Sequence, residues 1–276
     1  MPLSTNEETM KPVAITFASL CALSALSMPC HADPLASTQE QAATEDSMHI
    51  GAGLAYLPEY AGSKKSRVVP LPIFERSFSN GIFISSTRGL GIQKAIDNLQ
   101  LSAALSYGGA RADHKRNIFE GSDALKGMGD IDGSVQAVLN ASYRFDAISV
   151  SLGTTQNLGQ RSHGNTYTLG SSLQLLTTAS DQVGLGVSAE YGDRKHVQTY
   201  FGVTPKQNLY SGYSTYLTKA GFTSVGAAVN WNHVIDKQWS VHTVAGVKTL
   251  TGDAADSPLT KRRTAPIIMT GLIYSF

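Results

Sequence analysis

The chain has 276 residues, 42% of them hydrophobic and 16% charged, with 26 Gly, 10 Pro and 2 Cys. That is too apolar for a disordered chain and too poor in Pro for a collagen or a Pro-rich linker. Its 22 Lys+Arg against 21 Asp+Glu leave a net charge of +1 without a long run of either sign, so the basic footprint of a nucleic-acid binder is missing.

In chain order, Met10 to Ala32 carries one Lys, an apolar run from Val13 to Met28, and a small residue at a cleavage position after Ala32. This is the pattern of a secretory signal peptide over residues 1–32, and its apolar run is short of the roughly 20 residues a transmembrane helix needs. Glu7 and Glu8 put negative charge where such a leader is positive, which points to Met10 as its start. Cys21 and Cys30 both lie in the leader. A mature chain then has no thiol for a disulfide, a metal site or a nucleophile. Residues 33–47 are polar and aperiodic, the composition of a flexible tail.

From Met48 the dominant signal has period two. Leu99, Leu101, Ala103, Leu105 and Tyr107 form one face of a segment; Val183, Leu185, Val187, Ala189 and Tyr191 another; Ile268, Thr270, Leu272, Tyr274 and Phe276 the last. Between them stand Gly, Ser, Thr, Asn and Gln, where a soluble sandwich would collect Lys and Glu. A lumen suits small polar residues, and lipid suits the apolar face. Aromatics near segment ends (Tyr56, Tyr107, Tyr143, Phe145, Tyr191, Trp231, Trp239 and Tyr274) match interfacial girdles. In hydrocarbon every backbone amide needs a partner within the protein, and segments of about ten residues are too short for helices, so the reading is an all-β antiparallel transmembrane barrel over 48–276.

Eleven segments qualify as strands: 48–57, 67–78, 81–92, 98–108, 132–145, 147–157, 164–177, 182–193, 222–233, 238–250 and 264–276. A bacterial barrel has an even number. Either Val197 to Val203 is a twelfth strand, or the first segment does not span and ten remain; twelve is the expectation, ten the alternative. A twelfth strand at that place puts loop 109–131 in the periplasm, against the preference of long loops for the outside.

Of the candidate site residues, Arg111, Lys115 and Arg116 belong to the densest charge cluster, and Lys261, Arg262 and Arg263 precede the last strand. Both groups suit phosphates of lipopolysaccharide or a partner protein. The aspartates of Gly129-Asp-Ile-Asp-Gly133 and of Asp253 to Asp256 lack calcium-loop spacing and read as turn formers. Gly-x-Ser-x-Gly and His-Glu-x-x-His motifs are absent and the histidines are scattered, so no catalytic, cofactor or metal residues are assigned. His242 near Ser240 is the pair an enzyme reading would use.

Several stretches together resemble the MipA/OmpV family of outer-membrane proteins: Gly51-Ala-Gly-Leu-Ala-Tyr-Leu-Pro-Glu-Tyr-Ala-Gly-Ser63, Val69-Pro-Leu-Pro72, Leu125-Lys-Gly-Met-Gly-Asp-Ile-Asp132, Tyr200-Phe-Gly-Val-Thr204, Ser211-Gly-Tyr213 and Leu250-Thr-Gly-Asp-Ala-Ala-Asp-Ser-Pro258. The resemblance implies a barrel in the cell outer membrane, in contact with lipid and lipopolysaccharide. It also implies a scaffold between a lytic transglycosylase and a penicillin-binding protein, without catalytic residues to carry over. A pore is the alternative role and a lipid-acting barrel enzyme the second. The ending, with Tyr274 two before Phe276, resembles the signal read by the barrel insertion machinery.

Overall fold

Alternation becomes strand throughout. A computed structural model describes residues 46–276; the leader and nearly all of the tail lie outside the described residues. Twelve strands follow: β1 (Ser47–Pro58), β2 (Ser66–Ser77), β3 (Ile82–Ser85), β4 (Gly89–Ile96), β5 (Leu99–Gly108), β6 (Ser134–Phe145), β7 (Ile148–Asn157), β8 (Asn165–Thr177), β9 (Asp181–Gly192), β10 (Gly221–Val234), β11 (Trp239–Leu250) and β12 (Thr264–Ser275). Each pairs antiparallel with its sequence neighbours, and β1 closes the barrel on β12 with Gly53 opposite Gly271. Closure leaves no sheet edge running the length of the wall, which is what hydrocarbon demands of a β-structure. Among the described residues no helix is long and apolar enough to cross a membrane.

The expected count of twelve holds, but the twelfth strand is not where the sequence put it. Val197 to Val203 is no strand: α1 (Arg194–Phe201) begins where the Asp193 side chain accepts from the His196 N–H, and it ends at Gly202. Val197 and Phe201, four apart, share its buried face. The additional strand comes from the segment 81–92, which turns back between Ser85 and Gly89. There Ser85 Oγ accepts from the N–H groups of Thr87 and Arg88, and Gly89 takes φ +87°. Ile82, Ile84, Leu90 and Ile92 are all even-numbered, so parity hid the turn.

With the hairpin counted, every long connection falls at one end: 59–65, 109–133, 158–164, 193–220 and 251–263. The other end has only turns of two to four residues, such as Asp97–Asn98 and Ile235–Gln238, together with both ends of the described chain. Short turns face the periplasm in bacterial barrels, which makes the looped end the outer one.

Large apolar side chains cover the outer wall, among them Leu54, Leu105, Leu152 and Leu169, each more than half exposed. Two aromatic belts border this band. Tyr167, Tyr191 and Phe222 form the outer one, with neighbouring rings 6.3 and 5.7 Å apart; Trp239, Tyr274 and Phe276 stack at 5.0 and 4.8 Å at the periplasmic end. The inner wall differs from expectation on one side. From β5 to β10 it presents Ser102, Asn140, Ser151, Thr168, Ser188 and Asn230, whereas on β12, β1 and β2 the inward positions include Met269, Leu57, Val69 and Ile73.

Candidate functional site

The outer loops do not hang free. Arg111 and Ile131 exchange backbone hydrogen bonds of 2.8 Å, continuing the barrel beyond the β5–β6 pair. Beyond that bridge, Asp113 Oδ2 accepts from the N–H groups of Gly127 and Gly129, both at positive φ. The resulting loop pushes Leu125 and Met128 inward against Tyr60, Val203 and Leu259. These five come from four connections of the chain. A second cluster unites Val197 and Phe201 of α1 with Leu250 and with Ala254 and Ala255 of α3 (Gly252–Asp256).

Side-chain to backbone hydrogen bonds fasten one loop to the next. Gln207 in α2 (Pro205–Ser211) donates to Met128 O at 2.8 Å; Tyr213 OH donates to Ala124 O at 2.7 Å; Ser257 Oγ donates to Phe201 O at 2.6 Å; Tyr60 OH donates to Leu259 O at 3.0 Å. Tyr200 OH reaches down to Gly109 O at 2.6 Å. Burial pushes the Tyr60 and Tyr200 phenols up to about 12, so both stay protonated and keep donating. The Arg111 guanidinium, drawn down to about 10 by desolvation, remains charged at neutral pH and donates to Tyr200 O. Directly beneath α1, a cavity of about 10 Å³ remains between Gln136, Thr155, Asn157, Thr166, His196 and Tyr200. That is room for about one water. The outer mouth is therefore closed by a packed cap.

His163 gives the cap a pH dependence. It is buried beside Tyr200, with ring centroids 6.4 Å apart; desolvation holds its imidazole below the ordinary histidine range, partly opposed by Asp132. A histidine in the opened cap takes up its proton near the ordinary value of about 6.5. The folded value lies lower, so the stability of the closed cap is full above that pH and falls as acid protonates the open form. The protection factors of α1 amides, which take out the base catalysis of intrinsic exchange, should fall as the pH drops from about 7 to about 5 in the natural chain and lose that dependence in His163→Gln.

The cationic residues singled out from sequence fall into three separate places. Arg111 turns inward beneath α1, Lys115 is exposed, and Arg116 is held by Asp130 and Glu120. Lys261, Arg262 and Arg263 stand on the outer rim, where sequence reasoning missed Lys64 and Lys65 on the adjoining turn. Asp113, His114 and Asp130 gather closely enough for a metal ion, but the two carboxylates already serve loop N–H groups and Arg116. Asp253, expected to form a turn, instead accepts from Lys219 N–H at 2.7 Å and so ties two distant connections together. Ser240 and His242 both face the lumen from β11, and no hydrogen bond joins them among those between described residues. A concavity of about 760 Å³ lies outside, over Ala103, Ala141 and Ala189; its lining faces lipid, so hydrocarbon fills it.

A closed antiparallel wall with an apolar outer band and two aromatic belts defines an outer-membrane β-barrel. Over residues 50–276 the chain matches the family described as MltA-interacting protein MipA. It belongs to that family. A comparison with curated proteins finds no match. Among solved structures it is similar to the KdgM porin, at 12% identity and a TM-score of 0.42, covering 83% of this chain and 99% of that one. It is also similar to an anion-selective porin from Comamonas acidovorans, at 9% identity and TM-score 0.37, covering 84% and 98%, and to the NanC porin, at 8% and 0.36, covering 82% and 98%. Likeness at this level carries no argument about activity. The stretches that carry the family resemblance meet mostly in the cap: Tyr60, Leu125, Met128, Val203 and Leu250 are all buried there.

Proposed function

We propose that this barrel is a non-enzymatic scaffold that holds a murein hydrolase and a murein synthase at the inner face of the outer membrane. The observation that carries this reading is the packed cap: a wall whose mouth is shut by two hydrophobic clusters is poorly suited to steady transit and well suited to anchoring. The family's name, MltA-interacting protein, points to one such partner. Partners in the periplasm would meet the short turns, where Ile235 and Phe276 are more than half exposed. The same end offers Tyr274 and Phe276 to the insertion machinery.

Photo-crosslinkers at Ser180 and Lys237, on periplasmic turns, should capture a lytic transglycosylase or a penicillin-binding protein in intact cells, while one at Leu209 in α2 should not. Absence of wall enzymes from the periplasmic positions would discard the scaffold. A gated pore is the second reading, favoured by the polar arc from β5 to β10. For that reading, loosening the cap must produce conductance.

A further inference from the structure

The β1–β2 turn and the segment before β12 meet on the outer rim. The Gly62 carbonyl accepts from the N–H groups of Lys261 at 2.8 Å and Arg262 at 3.0 Å, and Arg262 Nη2 donates to Ser66 Oγ at 3.3 Å. Gly62 has φ +96°, and a Cβ there would lie 2.9 Å from Thr260 Cα, so this close approach needs glycine. The junction gathers Lys64, Lys65, Lys261 and Arg262 onto one short arc, with Arg67 at the start of β2 beneath them.

Arg67 donates to Gly121 O with Glu59 and Glu120 nearby, but the other four cations are not matched by carboxylates in this way. Among the described residues no carboxylate forms a salt bridge with Lys64, Lys65, Lys261 or Arg262, and the nearby Asp256 is taken by Arg263 at 2.8 Å. Arg262 Nε is buried without a partner. Lys261 Nζ donates to Pro258 O at 2.8 Å and lies 4.6 Å from the Tyr213 ring centre, contacts that place its charge without neutralising it. Four uncompensated positive charges on one stretch of rim favour an anion beside them.

The wall below this arc is apolar. Leu54, Tyr56, Val68 and Phe74 are exposed on the lipid face of β1 and β2. The neighbouring hairpin stops short: β2 pairs with β3 only over Glu75–Ser77, leaving its outer part beside a notch. Phe74 N–H and Pro72 O both bond Ser86, so even-numbered residues of β2 turn their backbone groups toward the notch. Pro70 and Pro72 sit there without N–H groups, which lowers the number of donors that the gap leaves without a strand partner. Cations at headgroup height over an apolar, notched wall match a phosphorylated, multiply acylated lipid.

We propose that the rim over β12, β1 and β2 binds the phosphates of outer-leaflet lipopolysaccharide through Lys64, Lys65, Lys261 and Arg262, with acyl chains along Val68, Pro70 and Phe74. The test uses the purified full barrel in detergent, titrated with bis-phosphorylated lipid A, with fully dephosphorylated lipid A, and with inorganic pyrophosphate, and followed by native mass spectrometry. Affinity for the bis-phosphorylated lipid should fall about tenfold or more in the variant Lys64→Gln/Lys65→Gln/Lys261→Gln/Arg262→Gln. It should be unchanged in Lys115→Gln/Arg116→Gln, and the dephosphorylated lipid should not distinguish natural chain from variant. Retention of heat-modifiable gel mobility shows that each variant is folded. Equal affinity of the natural chain and the fourfold variant would overturn the proposal, as would pyrophosphate binding as tightly as the lipid, which would make this a free-anion site.

Discussion

Replacing Val203 with Asp is expected to open the outer mouth while leaving the barrel closed. Val203 is fully buried, bridges to Tyr216 through two backbone hydrogen bonds, and packs with Tyr60, Leu125, Met128 and Leu259. A carboxylate in that cluster loses its hydration without gaining a partner, at a cost of about 3–5 kcal/mol. The twelve-strand hydrogen-bond network does not run through the cluster, so the penalty is relieved by local opening of the cap and not by unfolding of the wall. Protease added from outside should cut within 109–133 and 193–220, sites that stay resistant in the natural chain. In planar bilayers the natural barrel should be silent, Val203→Asp should conduct, and Val203→Leu should behave as the natural chain. A silent barrel with a cleavable cap would place the block in the lumen and remove the pore reading.

Gly53→Val is expected to prevent closure altogether. At this position a Cβ would lie 2.4 Å from Thr270 O and 3.0 Å from Gly271 Cα, both backbone atoms of β12. Nothing flexible can yield, so the two strands must separate at the seam that joins the first strand to the last. Each backbone group unpaired in hydrocarbon costs several kcal/mol, and separation along β1 and β12 exposes several. The variant should lack the compact, heat-modifiable band on unheated gels and accumulate as a degraded or aggregated chain. Gly186→Ala supplies the contrast on the same inner wall: its Cβ would meet Ala228 O at 3.9 Å, ordinary contact. That variant should insert normally, with stability within about 1 kcal/mol of the natural chain.

Much of the wall was legible because it is written in neighbours. Alternation at Leu99 to Tyr107 or Val183 to Tyr191 needs only a strand with lipid on one side, and the aromatic belts follow from where such strands end. The split at Ser85 to Gly89 was not legible, since Ile84 and Leu90 keep the same parity through the turn. Val197 to Val203 misled for a related reason: Val197 and Phe201 satisfy a helix spacing of four as readily as an alternation of two, and the Asp193 cap settles the matter in three dimensions. The apolar arc at Leu57, Val69, Ile73 and Met269 was missed because β1, β2 and β12 are apolar on both faces, where alternation carries little contrast.

The candidate site was less legible still. Lys261 to Arg263 stood out as a run, but Lys64 and Lys65 lie almost two hundred residues earlier and join them through the Gly62 carbonyl and the Arg262–Ser66 hydrogen bond. Arg111 to Arg116 looked like one cluster in sequence and divides in space, Arg111 beneath α1 and Arg116 against Asp130. The sequence by itself determined a lipid-facing antiparallel wall, because side-chain period and length are local properties imposed by the bilayer. Tertiary structure decided that the mouth is shut and where its cations gather, because those depend on loops distant in sequence meeting only after β1 has closed on β12.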